Sequence, residues 1–191
     1  MKRKGIMICG LNGAGKSTLG KEIACRWNAE WIDNEQLYFS NEGEYGTFCS
    51  SQTARHRLYA RIDDSTQANR PFIYCCVNNE DDDLLSYLDG VVYLSIGKED
   101  SQARIRERSK RQFGTRLAED KALQEREEAF FESVRRKDTG KIERWIESLE
   151  RQGVPVLRLD AMASIEANAN QIERWITTIK KNRVETQDIV C

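Results

Sequence analysis

Gly10-Leu11-Asn12-Gly13-Ala14-Gly15-Lys16-Ser17, with Thr18 next, matches Gly-x-x-x-x-Gly-Lys-Ser/Thr at each fixed position. The chemistry this spacing serves is the grip on a phosphate chain. Glycines let the backbone wrap closely around a phosphate with its N–H groups turned inward. A helix starting at the end of the loop adds free amide donors and a partial positive charge. Lys16 has the length to reach the β- and γ-phosphates of a nucleotide, and the Ser17 hydroxyl can ligate Mg²⁺. All of Gly10, Leu11, Asn12, Gly13, Ala14, Gly15, Lys16, Ser17 and Thr18 are therefore candidate nucleotide-binding residues. A second group of interest is basic. Arg104, Arg106, Arg108, Lys110, Arg111 and Arg116 crowd one stretch, and Arg104, Arg108 and Arg111 share a helix face at i, i+4 and i+7. Three roles are open to it: a lid that clamps phosphate, a solvated face paired with Glu99, Glu107 and Glu119, or an RNA contact.

The elements that must hold these groups follow from hydrophobic patterning. Gly5 to Cys9 is a short apolar run that ends in the Gly-rich turn. Lys16 to Trp27 carries Leu19, Ile23 and Trp27 on one helical face. Trp31-Ile32 predicts a short strand ending at Asp33, and Phe72 to Val77 a strand buried on both faces. Further strands are expected over Val91–Ile96 and Val154–Leu159. Helices are expected over Gln52–Asn69, Asp81–Leu88 and Lys98–Arg111, the last interrupted near Phe113-Gly114-Thr115. The remaining helices are Glu119–Lys137, Lys141–Arg151 and Ser164–Lys181. Strands alternating with helices predict an α/β fold: a five-stranded parallel sheet, the loop-bearing strand central, with helices on both faces. No linker divides the chain, so one domain over 1–191 is expected, with a helical lid inserted at about 100–140. Ile142-Glu143-Arg144-Trp145-Ile146 recurs as Ile172-Glu173-Arg174-Trp175-Ile176, which is the chemistry of an amphipathic helix face and not a repeat.

Composition narrows the partners. Lys plus Arg number 30 and Asp plus Glu 31, so net charge makes no case for a nucleic-acid or membrane binder. No apolar run is long enough to span a bilayer. Met1-Lys2-Arg3-Lys4 is read as a solvated lead-in to the first strand and not as an export signal. The six cysteines include no Cys-x-x-Cys pair and there is one histidine, so zinc spacing is missing and a reducing cytoplasm is expected.

Residues 5–27 resemble the opening of the P-loop kinases of the adenylate kinase and shikimate kinase group. Trp31-Ile32-Asp33-Asn34-Glu35 resembles the acidic end of the second strand in shikimate-kinase-like proteins, with Asp33 and Glu35 as its acids. The resemblance implies that Asp33 assists Mg²⁺ or the phosphoryl acceptor. Asp33 has a second available role as a helix N-cap, with Gln36 three residues on. Arg104-Ile105-Arg106-Glu107-Arg108 is similar to the start of the adenylate kinase lid, which implies that Arg104 stacks on the base and Arg108 meets phosphate. Val156 to Asp160, followed by Ala161 to Ala163, resembles the strand and loop that hold adenine edge-on.

The departures are equally specific. Cys75-Cys76-Val77-Asn78-Asn79 stands where shikimate kinases carry Gly-Gly and nucleoside monophosphate kinases carry Asp-Gly-Phe-Pro-Arg. No acid lies within Phe72–Val77, where a Walker B aspartate would sit. What the resemblance implies is ATP- and Mg²⁺-dependent transfer of the γ-phosphoryl group to a small acceptor, with Lys16, Asp33, Arg104 and Arg108 as catalytic residues and Ser17 and Asp33 at the metal. The alternative from another class is a nucleotide-binding regulator or slow NTPase acting on a macromolecular partner. His56 is read as a surface residue, and Glu80-Asp81-Asp82-Asp83 as a charged helix start. Tyr38, Phe39, Tyr45 and Phe48, around Gly43 and Gly46, wall an acceptor pocket or edge the core.

Overall fold

The structure is a computed structural model that describes residues 5–39, 48–79 and 81–188. In chain order its elements are β1 (Gly5–Cys9), α1 (Lys16–Trp27), β2 (Glu30–Asp33), α2 (Asn34–Tyr38) and α3 (Ser51–Gln67). They continue with β3 (Phe72–Cys75), α4 (Asp82–Leu85), β4 (Leu88–Ser95), α5 (Lys98–Phe113), α6 (Arg116–Glu119) and α7 (Lys121–Arg135). The chain closes with α8 (Thr139–Arg151), β5 (Val156–Asp160) and α9 (Ile165–Asp188).

The strands form one parallel sheet in the order β2-β3-β1-β4-β5. The loop-bearing strand is central, as the sequence predicts. All five residues of β1 are buried, and they alternate between two cores. Ile6 and Ile8 pack with Leu19 and Ile23 of α1 and Ile172 and Ile176 of α9. Met7 and Cys9 pack with Leu58 and Ile62 of α3 and Ile142 and Ile146 of α8. A strand covered on both faces must be apolar at successive positions, and that is why β1 and β3 read as unbroken apolar runs. The twin Ile-x-x-x-Ile helices each supply one stripe, one to each core. Truncating such a fully buried isoleucine to alanine costs about 2–5 kcal/mol.

Two expectations change. The helix expected over Asp81–Leu88 shrinks to the single turn of α4, and β4 starts at Leu88, three residues before the expected strand. Asp89 and Gly90 look like turn residues, but the Gly90 site is crowded by Trp175 and the Pro155 carbonyl, so a bare backbone is what fits in that part of the strand. The helix expected from Glu119 divides at Asp120, which caps α7 by accepting from the Leu123 N–H at 3.0 Å. Asp81 caps α4 in the same way and pairs with Arg55 at 2.7 Å. His56 is exposed. The expectations for Gly43, Tyr45 and Gly46, for Met1–Lys4 and for Glu80 lie outside the described residues.

β1 lies between β3 and β4, while the chain runs from β1 to β2 on one side and later returns across β1 to β4. The carboxyl end of β1 is therefore a switch point, where parallel sheets open a crevice. The 10–18 loop fills that end. Above it, α5, α6 and α7 make a helical hairpin whose small core is Ile105, Leu123 and Val134.

Candidate functional site

The loop starts where Gly10 N–H donates to the Val77 carbonyl at 3.1 Å and closes on itself where Ala14 N–H donates to Leu11 at 3.2 Å. Ala14 is buried in the α1-side core and pins the loop from below. Gly13 has φ +79°, and an added Cβ would lie 2.7 Å from the Ser101 carbonyl. Glycine is therefore demanded there both by backbone conformation and by the close approach of α5. Gly15 is the N-cap of α1 and offers no side chain to its first amides. The N–H groups of a helix's first turn lack intrahelical partners, so this end is open to an anion.

Lys16 is half-buried, and its ammonium donates to the Leu11 carbonyl at 2.8 Å, folding back over its own loop. Burial pushes its pKa down, opposed by nearby Cys76, Cys75 and Asp33. A desolvated ammonium held by a neutral carbonyl gains from an anion placed beside it. Leu11 packs against both cores, Asn12 is half-buried and Thr18 is exposed.

Ser17 and Asp33 lie sixteen positions apart in sequence and meet at the crevice. The Ser17 hydroxyl donates to Asp33 Oδ2 at 2.5 Å. The other oxygen of Asp33, Oδ1, accepts from the Glu35 N–H at 2.9 Å and so caps α2. The two roles open to Asp33 in the sequence are thus compatible, one on each oxygen, with Glu35 and not Gln36 as the amide donor. Register explains the meeting: β2 pairs with β3 from Glu30↔Phe72 to Asp33↔Cys75, which carries Asp33 to the sheet's carboxyl edge. A hydroxyl and a carboxylate side by side are hard oxygen donors that suit Mg²⁺, a metal commonly held by one or two carboxylates together with phosphates. Among the described residues no group of three or more His, Cys, Asp or Glu could hold a metal ion by itself.

Arg104 leaves α5 and donates to the Ala161 carbonyl at 3.1 Å. It thereby joins the two segments whose resemblance implied a base site. The turn after β5 is itself fixed. Met162 N–H donates to Asp160 Oδ1 at 2.8 Å, and Asn168 Nδ2 donates to the Asp160 carbonyl at 2.9 Å. Arg108, one turn further along α5, is exposed, and among the described residues it has no ion pair. Arg111 pairs with Glu107 at 3.8 Å and Arg106 lies over the Phe131 ring at 5.8 Å. The basic face is thus divided: Arg104 is docked, Arg106 and Arg111 are engaged within the hairpin, and Arg108 is free to move.

Sequence reasoning missed several groups here. The Ser101 hydroxyl donates to the Asn12 carbonyl at 2.7 Å, and Lys137 Nζ donates to Asn12 Oδ1 at 2.9 Å. Arg57 donates to the Leu37 carbonyl at 2.8 Å beside α2. Where the acceptor motifs are replaced, the Tyr74 hydroxyl donates to Asn34 Oδ1 at 2.8 Å and accepts from Asn79 at 3.3 Å. None of these sits in a recognisable motif. Only the amide pair Asn78-Asn79 after an apolar strand hinted at a polar lining.

No protein-family model and no curated protein matches the sequence. Solved structures do match. A gluconokinase from Sinorhizobium meliloti 1021 superposes with TM-score 0.57 at 16% identity, over 97% of this chain and 98% of that one. A sugar kinase from Janibacter sp. HTCC2649 gives TM-score 0.56 at 15% identity, over 92% and 95%. A shikimate kinase from Acinetobacter baumannii in complex with shikimate gives 0.49 at 15%, over 92% and 94%. With the gluconokinase and the sugar kinase this chain shares, over nearly its full length, the α/β fold of a five-stranded parallel sheet between helical layers.

Proposed function

We propose that this chain is an ATP-dependent kinase that transfers the γ-phosphoryl group of ATP to a small-molecule acceptor. The observation that carries the proposal is the Ser17–Asp33 contact at the open amide end of α1. It supports a nucleotide site with a cation position, beside a carboxylate facing the crevice. In this proposal the amides of Gly13 to Ser17 and the Lys16 ammonium bind the phosphate chain and orient it. Ser17 and Asp33 would hold Mg²⁺, which when bound neutralises charge on the phosphate oxygens. Asp33 orients the acceptor hydroxyl. The acceptor oxygen bonds to the γ-phosphorus as the bridge to ADP breaks, and the hydroxyl proton leaves to Asp33 or water. Arg104 stacks on the base from its dock at Ala161, and Arg108 closes over the transferring group. The chain works as one domain over 1–191, with a lid at about 100–140 and cytoplasmic substrates.

The test is phosphoryl transfer from ATP to a panel of acceptors, read by product mass. The neighbours named gluconokinase and sugar kinase put sugar acids and sugars first in that panel, ahead of shikimate-like acids and nucleotides. A phosphorylated product that needs Lys16 is the expected result. ATP turnover stimulated only by macromolecules would replace the proposal with the regulatory alternative.

A further inference from the structure

Lys137 lies in the short connection between α7 and α8, 125 positions from the residue it touches. Its ammonium donates to the Asn12 side chain at 2.9 Å. Asn12 belongs to the phosphate loop, between Gly10 and Gly13, and its carbonyl is already held by Ser101 from α5. The loop's outer rim therefore takes a hydroxyl from the start of the hairpin and an ammonium from its end. Lys98, Gln102 and Thr139 line the same narrow seam.

The energetics of that contact are one-sided. Desolvation pushes the Lys137 pKa down, with no charge partner to oppose it. Among the described residues Lys137 forms no ion pair, although Glu132 nearby pairs with both Arg135 and Arg136. An ammonium bonded to a neutral amide oxygen gives up hydration for a weak return, whereas the same ammonium on a phosphate oxygen forms a charge-assisted bond. Lysine's flexible four-carbon stem allows that exchange without moving a helix.

From this juxtaposition we infer that Lys137 is a second phosphate-binding ammonium, delivered to the loop's rim by the α7–α8 turn. In the nucleotide-free protein it rests on Asn12, and when a polyphosphate fills the loop it transfers to a phosphate oxygen. The inference rests on the kinase proposal above and deepens its binding site. It also assigns the turn after the lid a direct part in recognition, separate from the arginines of α5.

The experiment uses the full chain and three probes: inorganic tripolyphosphate, ATP and adenosine, each titrated calorimetrically at two salt concentrations. Lys137→Gln keeps a polar side chain able to reach Asn12 but removes the charge. It is expected to weaken tripolyphosphate and ATP on the order of 10-fold and to leave adenosine unchanged. It should also lower the salt dependence of polyphosphate binding, and Lys137→Arg should restore most of the affinity. Equal weakening of all three probes would make Lys137 a brace of the loop and overturn the inference. So would wild-type affinities in Lys137→Gln. Failure of the wild-type protein to bind either ATP or tripolyphosphate would instead overturn the kinase proposal itself. Thermal melting of both variants separates these outcomes from misfolding, because Lys137 sits on a turn outside both cores.

Discussion

Ala14, at the base of the phosphate loop, is 2% exposed, whereas along the sixteen residues of α5 only Ser101, Ile105 and Ser109 are buried. The loop is held on every side: by β3 through Val77, by the core through Ala14, by α5 through Ser101 and by Lys137 at its rim. The α5–α7 hairpin has three buried aliphatic residues and one buried polar pair, in which the Ser109 hydroxyl donates to Glu127 at 2.8 Å. Few buried contacts favour local opening of such a region, whereas the loop is tied to the central sheet and its core. The contrast assigns different work to the two cationic sets. In the proposed kinase Lys16 would stand ready before the nucleotide arrives, and Arg108 would be brought to it.

Four measurements can break or sharpen that contrast. The largest effect belongs to Lys16→Ala, expected to reduce turnover at least 10²–10³-fold through loss of a preorganised charge at the phosphate. Its stability consequence runs the other way. The folded pKa of Lys16 is pushed down by burial, so between the folded and unfolded values the unfolded chain binds more protons and stability rises with pH. The desolvation cost is therefore larger at neutral than at alkaline pH. Lys16→Met, which keeps the apolar stem, should melt no lower than wild type at pH 7, and the difference should shrink at alkaline pH. A clear drop in Tm at pH 7 would mean that the ammonium is a structural donor and not a poised one.

Next is Asp33→Asn. The amide keeps an oxygen for the Glu35 N–H, so the cap survives and stability should change by less than about 1 kcal/mol. The charge facing Ser17 is lost, and the transfer rate should fall about 10²-fold with a much smaller change in ATP affinity. An unchanged rate would leave Asp33 as a cap alone.

The hairpin arginines follow, at about 10-fold each. Arg104→Ala loses its dock on Ala161 and should show up in the Kd for nucleotide. Arg108→Ala, with no ion pair to lose among the described residues, should appear in kcat with Tm unchanged. Hydrogen exchange with and without a non-hydrolysable ATP analogue should show protection of residues 104–116 on binding. Lack of protection, together with normal kinetics in both variants, would return the segment to a solvated face.

The smallest effect is expected at Gly114, set against Gly13. Gly13→Ala meets both a φ of +79° and the Ser101 carbonyl, whereas Gly114→Ala meets a φ of +52° in open space. The first should disrupt phosphate binding. The second costs only torsional strain, about 1–3 kcal/mol, and should speed exchange in α6 and α7 while sparing the loop. Equal global destabilisation by both would show that hairpin and body unfold as one unit.

Much of this division was legible in the sequence. The loop pattern, the central strand and the basic helix are local features, written in glycine spacing and in periods of 2 and 3.6. The nearness of Asp33 to Ser17 was implied by the family resemblance and not by spacing, because it depends on β2 pairing with β3. Ser101 and Lys137 were illegible for a plainer reason. Each is one polar residue among many on a charged helix or turn, and only the return of α7 alongside α5 brings Lys137 to Asn12. The early start of β4 at Leu88 went unread because Gly90 looks like a turn residue until Trp175 is seen packed against it.

Three thiols lie close to Lys16 and use none of their chemistry. Cys9, Cys75 and Cys76 are buried; burial pushes Cys9 up to about 12 and holds the other two well above the usual thiol range. A thiol so held reacts only when the surrounding structure parts, since the thiolate is the reactive form. Cys25, on the exposed face of α1, needs no such opening. Among the described cysteines, Cys25 should therefore mark reagent access in an alkylation experiment, and the three near the 10–15 loop should mark opening of the central sheet. A ligand that fills the loop should slow the three and leave the first untouched.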